Sequence, residues 1–246
     1  MGECIAVLSG KGGTGKTSVC SGVAVALAAE GQKVLCIDCD VGLRNLDISL
    51  GMSECGALSF LDVSEGGYPL SDAAVHPEFP GLHFLTAPMN RPVERVDSAA
   101  FGRMVRQAKK DYDYIFLDAA AGVDAGFRLV TDHADRFLLV TGAGPAAVRD
   151  AARVADLLEI RGKQNVRLVV NRVSRSMMRA VAMTVDDVMD TAGLPLLGVV
   201  LEDPDVILAA AFGKCLELHN DAAPAARAFR RIARRIQGYS VPIKLR

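Results

Sequence analysis

Continuous apolar runs recur along the chain near residues 3–9, 33–38, 81–87, 113–118, 135–141, 166–171 and 194–201. Each is short, and none alternates with polar residues, as expected of strands covered on both faces. Between most of them the apolar residues fall at helical intervals. Over Lys16–Glu30 the spacing of Val19, Val23 and Leu27 predicts a helix ending at Gly31, a residue suited to a left-handed cap. Similar patterns predict helices near 97–110, 125–134, 145–160, 180–192, 204–213 and 222–237. Such alternation predicts an α/β fold, a single doubly wound and mainly parallel sheet that binds ligands at the carboxyl ends of its strands. Residues 52–80, with Gly56, Gly66, Gly67, Pro69, Pro77 and Pro80, interrupt the pattern and predict a helix-turn excursion.

The 246 residues contain no Pro/Ser-rich or low-complexity stretch, so we expect one domain over 1–246. No apolar run reaches the roughly 20 residues that span a bilayer, and Met1-Gly2-Glu3-Cys4 offers no basic leader, which predicts a cytoplasmic protein. Charge is uneven: residues 222–246 hold seven of the 28 basic residues and none of the 29 acidic ones. The six cysteines are scattered among apolar neighbours, as reduced thiols are. Cys36 and Cys39 have C-x-x-C spacing, but three residues apart on a strand they point to opposite faces, a poor pair for metal or redox work. His76, His83, His133 and His219 stand apart from one another and from cysteine, giving no basis for a zinc site.

The segment Gly10-Lys11-Gly12-Gly13-Thr14-Gly15-Lys16-Thr17 matches the phosphate loop G-x-x-x-x-G-K-[ST], set between the first predicted strand and helix. Its glycines let consecutive N–H groups face phosphate oxygens, Lys16 reaches the terminal phosphates, and the Thr17 hydroxyl serves Mg²⁺. The dipole of the helix that follows adds positive potential. The ligand class is therefore a nucleoside triphosphate. Lys11 is a second cation that binding alone does not require.

Asp38 and Asp40 share one side of the second predicted strand and reach its carboxyl end together. A carboxylate there can order an attacking water or hold one of the waters on magnesium. Asp38 can equally end the strand and cap the next segment. The run from Tyr114 to Leu117 ends in Asp118, the second acid expected of a phosphate-loop enzyme, followed by the small-residue turn Ala119-Ala120-Ala121-Gly122.

Lys11 and Lys16 in KGGTGKT together resemble the deviant Walker A motif of the MinD/ParA family of P-loop ATPases, of the SIMIBI type. The segment Cys39-Asp40-Val41-Gly42-Leu43-Arg44-Asn45-Leu46-Asp47 is similar to the MinD branch. The similarity extends to Asp118–Gly122, Val148-Arg149-Asp150, Asn171-Arg172 and Glu202-Asp203. It implies an ATPase whose ATP-bound form is a homodimer, and which acts as a switch in placing the division site with a division-regulating partner. It further implies that Lys11 crosses to the other subunit's phosphates, that Asp40 positions the water, and that Thr17, Asp40 and Asp118 serve Mg²⁺, the aspartates through water. Gly10 to Thr17 with Ser18, Asn171, Arg172, Glu202 and Asp203 would surround the nucleotide. A flagellar-number regulator of the FlhG type is the nearest alternative. A partition ATPase fits less well, because the Pro-Gln-Gly form of the segment after Asp40 is missing. Cluster carriers and reductases on this fold use interfacial cysteine pairs, and Cys215 stands alone in the last third. ATP-dependent ligases would need a substrate pocket.

The chain departs from the family at Ala120 and Leu201, where proline is usual, and at the C-terminus. Family members of the MinD branch end in a separate membrane-targeting helix, whereas here the tail is 238–246. In the basic helix at 222–237, Phe229, Ile232, Ala233 and Ile236 form one face and Arg227, Arg230, Arg231, Arg234 and Arg235 the other. Two expectations follow: a helix that caps the domain with its arginines on the acidic body, or one that lies peripherally on an anionic membrane. DNA is disfavoured by the acidic remainder of the chain.

Overall fold

The computed structural model describes residues 1–89, 91–180 and 182–243, apart from the side chain of Met177. Every predicted strand is present: β1 (Glu3–Leu8), β2 (Val34–Cys39), β4 (Leu82–Leu85), β5 (Tyr114–Ala119), β6 (Arg136–Thr141), β7 (Val166–Val173) and β8 (Leu196–Leu201). A two-residue strand within the 52–80 excursion, β3 (Ala74–Val75), was not foreseen. The sheet order is β3-β4-β2-β5-β1-β6-β7-β8, parallel throughout except for the antiparallel β3/β4 pair. β1 is central, between β5 and β6, and its carboxyl end opens at the phosphate loop.

Residues alternate strictly between the two faces. Cys4, Ala6 and Leu8 of β1 join the core under α4 (Ser98–Asp111), α5 (Ala125–Thr131) and α6 (Pro145–Ile160), while Ile5 and Val7 join the core under α1 (Lys16–Ala29) and α11 (Pro224–Ile236). The same alternation sends Cys39 to the first core and Cys36 to the second, as the strand period requires. The expected helix at 180–192 is two helices, α7 (Arg175–Ala180) and α8 (Val185–Ala192). Thr184 and Asp187 form a reciprocal cap that starts α8 afresh. The excursion contains α3 (Phe60–Ser64), and α2 (Leu46–Leu50) follows β2. Short helices α9 (Asp205–Ala211) and α10 (Leu216–His219) precede α11.

The apolar face of the basic helix is turned inward. Phe229, Ile232, Ala233 and Ile236 are all buried against α1 and β8, so α11 presents no apolar face to lipid. β8 admits it closely: a Cβ on Gly198 would lie 2.4 Å from Ile232. The arginines meet the body of the protein, Arg234 on Glu30 at 2.9 Å and Arg230 on Glu217. Arg235 donates to the carbonyls of Leu197 and Val241. Among the described residues no helix is long and apolar enough to cross a membrane.

Candidate nucleotide site

The loop between β1 and α1 is shaped by Gly13 and Gly15, both at φ +80. Gly15 precedes α1 without any side-chain cap, so the first N–H groups of the helix are left for an anion. Two residues from the end of β7 hold the loop from below. Asn171 donates its amide to the carbonyls of Thr14, at 2.8 Å, and Gly15, at 3.4 Å. Arg172 donates to Gly13 O at 3.1 Å and to Glu202 at 3.2 Å. A Cβ on Gly15 would stand 2.2 Å from the Asn171 amide nitrogen, a second reason for glycine there.

Lys16 is buried and ion-paired to Asp118, Nζ to Oδ1 at 2.6 Å. Burial alone would lower its proton affinity, but the charge and hydrogen bond of Asp118 outweigh burial and hold it above the usual lysine value. Lys11 is its opposite, exposed on the rim of a cleft shared with Gly12, Gly13, Gly144 and Arg172, with no ion-pair partner among the described residues. Two lysines five positions apart thus face different tasks.

Asp38 stands directly across from Asp118 in the β2/β5 register. Both carboxyls are buried. Burial, then the neighbouring Asp118 charge, pushes the Asp38 carboxyl up to about 7 against the pull of two backbone donors and Lys16. Those donors are Asp40 N at 2.9 Å and Leu46 N at 3.2 Å, so Asp38 ends its strand and tethers the start of α2. Asp40 is half-buried beyond it, and its carboxylate accepts from Gly42 N, at 3.3 Å, through Oδ1. The Thr17 hydroxyl lies 3.5 Å from Lys16 Nζ.

Thr17 and Asp118 lie beside the lysine, and the charge of Asp40 also reaches it; hard oxygen donors of this kind would suit Mg²⁺. Among the described residues no group of three or more acidic, histidine or cysteine side chains could hold a metal ion by itself.

Gly10 to Ser18, Asp40, Asp118, Asn171 and Arg172 converge on one end of the sheet. Asn171, Arg172, Glu202, Asp203, Pro204 and Ile207 line a second cleft beside α1. Asp203 sits there with both oxygens engaged, taking Asp205 N at 3.1 Å and Ala225 N, at the start of α11, at 3.0 Å. Three contacts escaped sequence reasoning: Lys16 with Asp118, Asn171 with the loop carbonyls, and Arg44 with Thr86. Each joins segments distant in sequence, and only the strand order brings them together.

Residues 5–216 match the CobQ/CobB/MinD/ParA nucleotide binding domain. The septum site-determining protein MinD of Synechocystis is 36% identical over 244 residues, covering 98% of this chain and 92% of that protein. Among solved structures, the MinC:MinD cell division protein complex of Aquifex aeolicus is similar with a TM-score of 0.90 at 35% identity, covering 98% of each chain. MinD of Pyrococcus horikoshii complexed with Mg-ADP is similar with a TM-score of 0.84 at 28% identity, covering 96% of each. The phosphate loop, its buried and its exposed lysine, and these full-length similarities agree: the chain belongs to the MinD/ParA family of nucleotide-binding proteins, on its MinD branch.

Proposed function

We propose that this protein is a MinD-type ATPase, a switch that binds Mg-ATP, pairs with a second copy in the ATP state, and helps to position the division site. The observation that carries the reading is the contrast between the two loop lysines. Lys16 is buried on Asp118 within its own subunit, whereas Lys11 is exposed at the open side of the loop with no ion-pair partner among the described residues. A cation held in that position gains a partner when a second subunit brings triphosphate to it. ATP binding and dimerisation then become one coupled equilibrium.

In this reading the loop N–H groups and Lys16 bind the phosphates, and Thr17 and Asp118 would hold a Mg²⁺ ion that would supply charge neutralisation there. Asp40 orients a water in line with the γ-phosphorus. The water oxygen bonds to phosphorus as the bond to the ADP oxygen breaks, yielding ADP and phosphate and resetting the dimer. The MinC:MinD complex of the Aquifex relative supports a division-regulating protein as partner. Membrane recruitment through α11 forms no part of the reading, because its apolar face is buried.

The test is a pair of variants. Lys16→Ala should lose ATP binding. Lys11→Ala should bind ATP as a monomer yet lose ATP-dependent dimerisation, followed by light scattering, together with hydrolysis. A Lys11→Ala protein that dimerises normally with ATP would refute the reading.

A further inference from the structure

Arg44 lies in the left-handed region, at φ 44, where a side chain is disfavoured and glycine is at ease. Strain of this kind persists where the surroundings impose it, and it argues for a task performed by the side chain. The turn that carries Arg44 begins at Asp40. The Asp40 carbonyl accepts from Leu43 N and Arg44 N, both at 3.3 Å, long bonds that hold the turn weakly. Val41 packs against the core at the start of the turn, but Leu43 at its tip is 70% exposed.

Asp38 holds the two ends of the turn, accepting from Asp40 N at 2.9 Å and Leu46 N at 3.2 Å, and between them Arg44 reaches across to the neighbouring strand end, Nε donating to Thr86 Oγ1 at 3.0 Å. Thr86 is a firm anchor. It is buried just beyond β4, its N–H bonded to Leu58 O and its carbonyl accepting from Phe60 N, each at 2.9 Å.

We infer that Arg44 is a positioning residue for hydrolysis: bound to Thr86, it fixes the turn whose first residue, Asp40, orients the attacking water. This rests on the role given to Asp40 above. Lys16, the loop and the base cleft lie outside the tether, so its loss should slow the chemical step without weakening ATP binding. Misplacing a catalytic group by about 1 Å can cost up to 100-fold in rate, and a loosened turn that still samples the right geometry should lose about tenfold.

The experiment compares steady-state ATP hydrolysis by the full chain with Arg44→Gly, Thr86→Val, both together, Thr86→Ser and Asp40→Ala. Arg44→Gly and Thr86→Val should each lower kcat about tenfold, with KM for ATP within about twofold and ATP-dependent dimerisation retained. The double variant should be no slower than Arg44→Gly, and Thr86→Ser, which keeps the hydroxyl, should recover the rate. Arg44→Gly relieves backbone strain, so a purely structural arginine would leave kcat unchanged while thermal stability held or rose. Wild-type kcat in Thr86→Val, or multiplicative losses in the double variant, would overturn the inference even with Asp40→Ala slow. Wild-type turnover in Asp40→Ala would instead overturn the role of Asp40 itself.

Discussion

Lys16 and Asp118 form an ion pair at 2.6 Å with side chains only 6% and 1% exposed, so the phosphate-binding lysine is held by the acid expected to serve the metal. Under the proposed function, phosphates would compete with Asp118 for Lys16, and a carboxylate so released would be free for a cation, linking nucleotide and Mg²⁺ through one residue.

That pair makes a stability prediction. Removing one partner of a buried pair leaves an uncompensated charge, and Asp118→Ala should lower the stability of the nucleotide-free protein by about 3 kcal/mol. Replacing both, as Lys16→Met with Asp118→Leu, should recover most of that loss while abolishing ATP binding. Urea unfolding of the three proteins provides the check. Equal loss in the single and double variants would show that packing, and not the charge, sets the effect.

Asp38 should make stability depend on pH. Its folded proton affinity is raised from the ordinary 3.8 to about 7, so between those values the folded state binds more protons than the unfolded one. Its contribution is complete below about pH 4 and is lost as pH rises through about 7. Asp38→Asn, which cannot ionise, should therefore gain on the wild type by about 3 kcal/mol between pH 5 and pH 8. Parallel unfolding curves across that range would remove the carboxyl as the source. The baseline of the variant is expected to be lower, because one of the two backbone donors on Asp38 would meet an amide N–H₂ group.

The loop should respond to its support from below. Asn171→Ala leaves the Thr14 and Gly15 carbonyls without their donor, and we expect ATP affinity to fall about tenfold with the fold retained, close to one hydrogen bond's worth. Gly15→Ala should be far worse, since its Cβ would meet the same amide at 2.2 Å and its φ of +80 disfavours any side chain. Calorimetric titration with Mg-ATP distinguishes them. Equal, mild losses would mean that the loop can shift to accommodate a methyl group.

The phosphate loop was legible because its chemistry is local: glycines, a lysine and a threonine at fixed spacing between a strand and a helix. The strands were legible because burial on both faces leaves continuous apolar runs, and the period of two even separated Cys36 from Cys39. β3 was not, since two residues carry no pattern. The opposition of Asp38 to Asp118 depends on β2 lying beside β5, a matter of sheet order that no local pattern encodes. Asp203 shows the same limit: its place in the cleft, with its oxygens on two backbone N–H groups, one of them 22 residues away, depends on packing that no motif encodes. For α11 the amphipathic pattern was clear, but the surface that its apolar face covers became clear only from the packing of Phe229 and Ile232.

The final prediction follows from that packing. Ile232 is fully buried between β8 and α1, and Gly198 leaves its side chain no spare room. Ile232→Asp would place a carboxylate in an apolar core and should destabilise the protein by more than about 3 kcal/mol. Gly198→Val should be destabilising too, by about 2 kcal/mol, through overpacking against the same residue. Arg231→Gln, on the outer face, should change stability by less than about 0.5 kcal/mol. Sedimentation with liposomes rich in acidic lipid adds an independent reading. If α11 only caps the domain, residues 1–246 should show no binding that Arg231→Gln and Arg234→Gln weaken, with or without ATP. Arginine-dependent, ATP-dependent sedimentation would show that the outer face of α11 meets lipid through charge alone, its apolar face remaining inside the protein.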